Sequence, residues 1–378
     1  MAYSTDPQEY DEGDLYRVAE MYFIERQTHE TIVEKLGIRP RAKVVAMCEA
    51  ARRAGIVNIA LLPSRTTEGT RLRNLAAQVR ERFNLLDCIV VHGRQEMLTQ
   101  MLPDNVREVI LDRIAHEAAG QLDRRFGEIA EPCLAVTYGF VTRKVSDYLQ
   151  PRIGLNRKGL VLAAQGVRRL EMDRFDANNI VRDIARQFGC KYACMPIPAV
   201  VDAADMEVVR NLPLVKSILE ALETKTNLVL GSLASHHQTD WAPRHDSLQN
   251  ELITEADMKA IAEAGGIGNF GGWWFDAKGD PIEYNARSVV GLGLPRIKQL
   301  VRERKPVILA VGADPTRIPS LAIALRSEQP LGNVWIGDEM TARVLLGEHR
   351  LSRPDITWRQ EEKEILEALA AQGGRREI

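Results

Sequence analysis

"GGIGNFGGWWFD", residues 265–276, holds Gly266-x-Gly268-x-x-Gly271, the spacing with which a Rossmann fold cradles a dinucleotide pyrophosphate. That fingerprint works where a strand runs into the glycines and a helix leaves them, its free amides facing phosphate. Here the order is reversed. Thr254 to Ala264 (TEADMKAIAEA) opens with a capping box and continues with helical periodicity, while two tryptophans, Phe275 and an Asp-x-x-Gly turn follow the glycines. The stretch does not predict a nucleotide cradle, so the fold has to be read from the elements around it.

Those elements alternate between strand and helix. Short apolar runs predict strands at Asp87–Val91, Cys133–Val136, Leu160–Ala163, Tyr192–Met195, Leu228–Leu230, Val307–Val311 and Val334–Ile336. Helical spacing falls between them, at Val106–Phe126, Thr142–Leu149, Asn178–Phe188, Leu214–Glu223, Pro295–Val301, Pro319–Arg326 and Glu339–Leu346. The pattern predicts an α/β domain with a doubly wound parallel sheet over residues 84–350. Such sheets bind ligands in the loops at the carboxyl ends of their strands.

The first 62 residues read differently. Leu15, Val18, Ala19 and Tyr22 share a helical face, Gln27-Thr28 breaks and caps, and Ile32, Val33 and Leu36 mark a second helix that Gly37 ends. Val44, Val45, Cys48 and Ala51 mark a third, stopped at Gly55, and Ile56 to Leu61 alternates as a strand. Two short helices joined by a Gly-containing turn, followed by a strand, have the form of a winged helix-turn-helix. Such a helix fits the major groove, and its Arg and Lys neutralise phosphate. The charge supports this. The chain of 378 residues carries only −2 overall, yet residues 39–82 hold ten arginines and lysines against Glu49, Glu68 and Glu81. Pro63 to Gly69 reads as a hinge and Arg71 to Phe83 as an amphipathic helix, so residues 63–83 form a linker with a possible assembly helix, and residues 351–378 a helical tail.

With 45% hydrophobic and 27% charged residues, composition points to a globular chain. No apolar run approaches the roughly 20 residues needed to cross a bilayer. The acidic N-terminal stretch is neither a secretory signal nor a transit peptide, so a cytoplasmic location and no membrane partner are expected. Five scattered cysteines without a CxxC pair fit reduced thiols. Ser232 to Asp246, which holds His236, His237, His245, Asp240 and Asp246, fits no standard metal spacing and reads as a polar loop lining or covering a pocket; no metal and no cofactor are expected.

Several motifs resemble those of the SorC family of bacterial sugar-responsive transcription regulators, in the family's order and over nearly the whole chain. They are "EKLGI" and "ARRAGIV" in the first unit, Val136 to Thr142 (VTYGFVT), Met195 to Asp202 (MPIPAVVD), Gly265 to Asp276 followed by Asn285-x-Arg287, and Asn333 to Leu346 (NVWIGDEMTARVLL). The resemblance implies an effector domain similar to sugar-phosphate isomerases and deaminases of the glucosamine-6-phosphate type, turned from catalysis to sensing. It implies a sugar, polyol or sugar-phosphate effector, double-stranded operator DNA as partner, and a homodimer or homotetramer. The expected effector-binding residues are Tyr138, Gly139, Phe140, Val141, Thr142, Arg143, Gly166, Asp276, Asn285, Gly312 and Arg317. Gly139 to Thr142, between a strand and a helix, would form an anion site.

The chain also departs from the family. Where the recognition helix usually carries a Ser-Arg pair, Val45 and Ala46 stand, which leaves Arg39, Arg41 and Lys43, with Thr28, as the candidates for DNA contact. The usual Trp-Gly-Arg-Thr becomes Tyr138-Gly139-Phe140-Val141, and the family's Gly-Gly-x-x-Lys becomes Gly312 to Arg317, where Arg317 stands in for the lysine. The expected function is a DNA-binding regulator of carbohydrate or polyol metabolism and not an enzyme. Two other readings stay open: an isomerase- or deaminase-like enzyme, and a sensor that has lost DNA binding.

Overall fold

The computed structural model describes residues 3–54, 56–57, 72–93, 103–151, 158–168, 175–235, 253–351 and 356–372. The chain divides into two compact units, Met1–Ser64 and Arg65–Ile378.

In the first unit, helix Glu12–Ala19 runs into a wider π-type turn, Glu20–Ile24, before helices His29–Leu36 and Arg41–Arg53. Asp11 caps the first helix, and Thr28 Oγ1 accepts the Thr31 N–H to cap the second. Gly37 ends the second helix at φ +68°, a conformation that suits glycine because it has no Cβ. Leu15, Val18, Ile32, Val44, Met47 and Ala51 close the core between the three helices. Ile56 and Val57 form a bend, and the remainder of the expected wing strand, like the hinge at residues 63–69, lies outside the described residues.

Among its described residues the second unit has twelve strands: β1 Asp87–Val91, β2 Cys133–Val136, β3 Leu160–Ala163, β4 Lys191–Ala193, β5 Val200–Asp202, β6 Leu228–Gly231, β7 Leu233–Ser235, β8 Gly268–Phe270, β9 Trp273–Phe275, β10 Arg287–Val289, β11 Val307–Ala310 and β12 Val334–Asp338. Seven form one parallel sheet in the order β1-β12-β11-β6-β2-β3-β4. Strands β2, β6 and β11 are buried throughout, as expected of a sheet covered on both faces. From β2 the chain winds outward through β3 and β4; from β6 it winds the other way through β11 to β12, which lies beside the first strand, β1. The winding reverses between β2 and β6, whose residues pair as Leu134 with Leu228 and Val136 with Leu230. A doubly wound sheet opens a crevice at that switch point.

Helix Arg73–Arg82 buries Leu75, Ala76 and Val79 and packs on β1. The apolar face expected to serve assembly is therefore occupied within the chain. Two small antiparallel sheets were not legible beforehand: β5 with β10, and β7-β8-β9. The second contains the opening stretch. Gly268 to Phe275 is a hairpin rather than a loop, with Phe270 paired to Trp273 across Gly271 and Gly272. Those two glycines have φ of +60° and +93°, as a two-residue hairpin turn of type I′ requires. Gly268 has another reason: a Cβ there would stand 2.7 Å from Ser320 Cβ. The fingerprint spacing thus arises from a tight turn and a close packing contact.

No helix among the described residues is long and apolar enough to cross a membrane.

Candidate functional site

A cleft opens at the switch point, at the carboxyl ends of β2, β3 and β6. Tyr138, Gly139, Phe140 and Val141 follow β2, Gln165 and Arg168 follow β3, and Ser232, Leu233 and Ala234 follow β6. Asn269, Gly271 and Gly272 of the hairpin and Arg317 after β11 complete the lining.

Each polar group is held from behind. Gln165 is only 1% exposed, fixed between Gly166, whose absent Cβ would meet Pro198 O at 2.6 Å, and Gly291, whose absent Cβ would meet Gln165 Cα at 2.8 Å. Among the described residues its Nε2 has no hydrogen-bond partner. Burial without a partner is costly, so such a group calls for an explanation. Arg168 lies with its guanidinium 5.1 Å from the Tyr138 ring centroid, a cation–π distance. Arg317 donates through Nη1 toward Ser232 Oγ at 3.4 Å, and its Nε lies 3.4 Å from Asp314 Oδ2. Burial lowers the pKa of both arginines; Tyr138 and Asp176 oppose this at Arg168, and Asp314 opposes it at Arg317. Asn269 Oδ1 accepts the Gly272 N–H at 3.1 Å and so fixes the hairpin turn at the rim.

Helix Phe140–Tyr148 begins at the cleft. Its preceding residue, Gly139, has φ +143° and offers no side-chain cap, so the positive end of the helix faces the same space as the two guanidiniums. Thr142 is fully buried and turns its hydroxyl back to Gly139 O at 2.7 Å, bracing this turn rather than reaching the cleft.

The structure gathers Tyr138, Gly139, Phe140, Val141 and Arg317 from the residues that sequence proposed, and places the others elsewhere. Arg143 points away into ion pairs with Asp183, at 2.5 Å, and Asp147. Asp276 accepts the N–H groups of Lys278 and Asp280, opening its own turn. Asn285 donates to Asp257 Oδ1 at 2.9 Å. Gly312 packs against Asp338 and Ile114 Cδ1, and Gly166 supports Gln165 from behind. Ser232 opens the stretch that sequence read as lining a pocket, and it does line the cleft; Gln165, Arg168 and Asn269 were not proposed. Only Asn269, between the glycines of the opening stretch, stood beside a signal that could have found it. The histidine-rich segment from His236 onward lies outside the described residues. No group of three or more His, Cys, Asp or Glu is arranged to hold a metal among the described residues.

In the first unit, the outward face of helix Arg41–Arg53 presents Arg41 and Val45, the latter 44% exposed, whereas Ala46 faces the core. Arg41 Nε pairs with Glu30 at 2.9 Å in solvent. Arg39 is exposed ahead of the helix, Lys43 is half-buried, and Thr28 serves as the cap described above.

Comparison with known proteins agrees with this architecture. Residues 68–347 match the family described as "Putative sugar-binding domain". Over 337 residues the chain is 25% identical to the transcriptional regulator LsrR of Klebsiella pneumoniae, a span covering 87% of this chain and 91% of that protein. Its fold is similar to that of the full-length sorbitol operon regulator SorC from Klebsiella pneumoniae, with a TM-score of 0.62 at 17% identity, over 89% of this chain and 99% of that one. A DeoR family transcriptional regulator from Listeria monocytogenes aligns with a TM-score of 0.58 at 20% identity, over 73% of this chain and 99% of that one. Because the family match takes in the greater part of the chain, this protein belongs to the sugar-binding-domain family that its SorC-like motifs implied.

Proposed function

We propose that the chain is a DNA-binding transcription regulator of carbohydrate or polyol metabolism, acting in the cytoplasm, whose operator affinity is set by a sugar-derived effector held in the switch-point cleft. The observation that carries this reading is the lining of that cleft. It combines the Gln165 Nε2, without a partner among the described residues, the Ser232 hydroxyl, the Asn269 amide and two guanidiniums with the aromatic rings of Tyr138 and Phe140. Amides and hydroxyls match sugar hydroxyls, aromatic rings match a sugar face, and guanidiniums beside a helix N-terminus suit an anionic substituent. The effector class is therefore a sugar or polyol derivative bearing a phosphate or carboxylate. Arg168 and Arg317 supply the positive charge that the altered Tyr138-Gly139-Phe140-Val141 loop lacks.

Catalysis is disfavoured by the same lining. Among the described residues the cleft lining contains no Asp, Glu, His, Lys or Cys, so of the usual general acids and bases only the Tyr138 hydroxyl is at hand and no acid-base pair is formed there. Exposed Val45 on the outward face of the third helix favours retained DNA reading with altered specificity, since an apolar side chain contacts the thymine methyl group. A homodimer or homotetramer would read two half-sites. The effector acts by binding the DNA-competent and DNA-incompetent states unequally.

The test is fluorescence anisotropy of the full chain with DNA from upstream of its own gene against scrambled DNA, over a salt series and then with a panel of sugars and sugar phosphates. Specific, salt-dependent binding that one class of sugar derivative shifts is the expected result. Equal binding to both DNAs throughout the panel would overturn the reading.

A further inference from the structure

The opposite end of the parallel sheet carries a second cleft, of about 770 Å3. That is within the roughly 300–1,000 Å3 typical of small-molecule sites. It lies where the chain enters the strands: Phe83 and Leu86 precede β1, Arg304 precedes β11 and Asn333 precedes β12. Arg82, Arg302, Arg304 and Arg326 line it, against the single carboxylate of Glu328.

Three of these arginines end their helices, Arg73–Arg82, Leu294–Arg302 and Ile318–Arg326. A cation there suits the helix dipole by about 0.3–1 kcal/mol. That accounts for each arginine singly but not for three helix ends converging on one concavity. None of the four is held in an ion pair among the described residues. Arg82 donates to Gln372 Oε1, and Arg302 to Gln329 Oε1 at 2.9 Å. Burial, and then the like charge of Arg82, push the pKa of Arg326 down. Phe83, Leu325 and Leu369 supply an apolar wall beside the guanidiniums. A nucleic-acid backbone needs an extended basic track, whereas these charges converge within one cleft.

We propose that this cleft binds a small phosphorylated compound, its phosphates held by Arg82, Arg302 and Arg326 and its ring or apolar part resting against Phe83 and Leu325. Guanidinium forks match phosphate oxygens in pairs, and a bound dianion relieves the repulsion between Arg82 and Arg326. The site is separate from the effector cleft, which lies at the other end of the strands.

The experiment is isothermal titration calorimetry of the full chain with two probes, inorganic pyrophosphate and adenosine diphosphate, at low salt. Both should bind, the ring-bearing probe more tightly. R82Q/R326Q should weaken both by roughly tenfold or more, the scale of one charge-assisted hydrogen bond. That variant also removes two helix-end cations and the Arg82–Gln372 hydrogen bond, so its melting temperature is measured beside the titration; if it melts lower than the wild type, R302Q carries the same test. Absence of binding by either probe overturns the proposal. So does binding that R317Q abolishes while R82Q/R326Q leaves it intact, because the anion is then in the effector cleft.

Discussion

Arg317 and Asp314 stand 3.4 Å apart, Nε to Oδ2, with side chains only 8% and 13% exposed, and Asp314 reaches Arg107 at 3.3 Å as well. One carboxylate thus orients a buried guanidinium toward Ser232 and the cleft. Arg317→Gln keeps hydrogen-bonding capacity but removes the charge. It should weaken an anionic effector by roughly tenfold or more while leaving operator binding in its absence unchanged. An effector titration of the operator complex by anisotropy measures this, and an unchanged midpoint would remove Arg317 from the site.

At the rim, Gly272 has φ +93° and a Cβ there would stand 3.1 Å from Val289 Cγ1. Gly272→Ala should destabilise the second unit by about 1–2 kcal/mol, the cost of holding an L-residue in the left-handed region. Asn269→Ala removes the acceptor of the Gly272 N–H and should loosen the turn and weaken effector binding together. Thermal melts beside effector titrations of both variants check this; full effector affinity in Asn269→Ala would show that the turn does not shape the cleft.

For DNA, replacing Arg41 and Lys43 by alanine should abolish specific operator binding and leave effector binding intact. Each lost phosphate contact should shallow the salt dependence of residual binding by about one unit of slope. Thr28→Ala acts differently, costing about 1 kcal/mol of stability through the lost helix cap. Loss of effector binding in the Arg41/Lys43 variant would mean a folding defect instead.

Burial raises the Cys48 thiol from its ordinary 9.0 to about 11, and Cys133 likewise to about 11. Between these values the unfolded chain releases thiol protons that the folded chain retains, so the folded state binds more protons. Stability from these groups is therefore fully present below pH about 9 and is lost as pH rises toward about 11. Cys48→Ala should flatten the fall of the melting temperature across that window; an identical slope in wild type and variant would assign the fall to other groups. At neutral pH both thiols should react slowly with a thiol reagent.

The parallel strands were legible in the sequence because each is a short apolar run, as at Cys133–Val136 and Leu228–Gly231, and burial on both faces leaves that signature in any arrangement. The Thr28 cap and the Gly37 stop were legible for a similar reason, since they act within one turn of chain. Strand order was not. Only packing decides that β2 and β6 lie side by side, and that adjacency creates the switch point and the cleft. The loop at Tyr138–Val141 was found through its motif, whereas Gln165 and Arg168 were not, because each becomes a site residue only when strands distant in sequence meet. Asp276 and Asn285 fit the sequence motif, yet local turns and Asp257 take their polar atoms. The glycines of residues 265–276 matched the Rossmann spacing only in the wrong frame of helix and strand; the pairing of Phe270 with Trp273 made them a hairpin. The sequence by itself determined the class of fold, the seven strands of the parallel sheet and the helices between them, which depend on local periodicity and capping. Tertiary structure alone decided which polar side chains share the cleft, because that depends on contacts between segments whose separation along the chain carries no local signal.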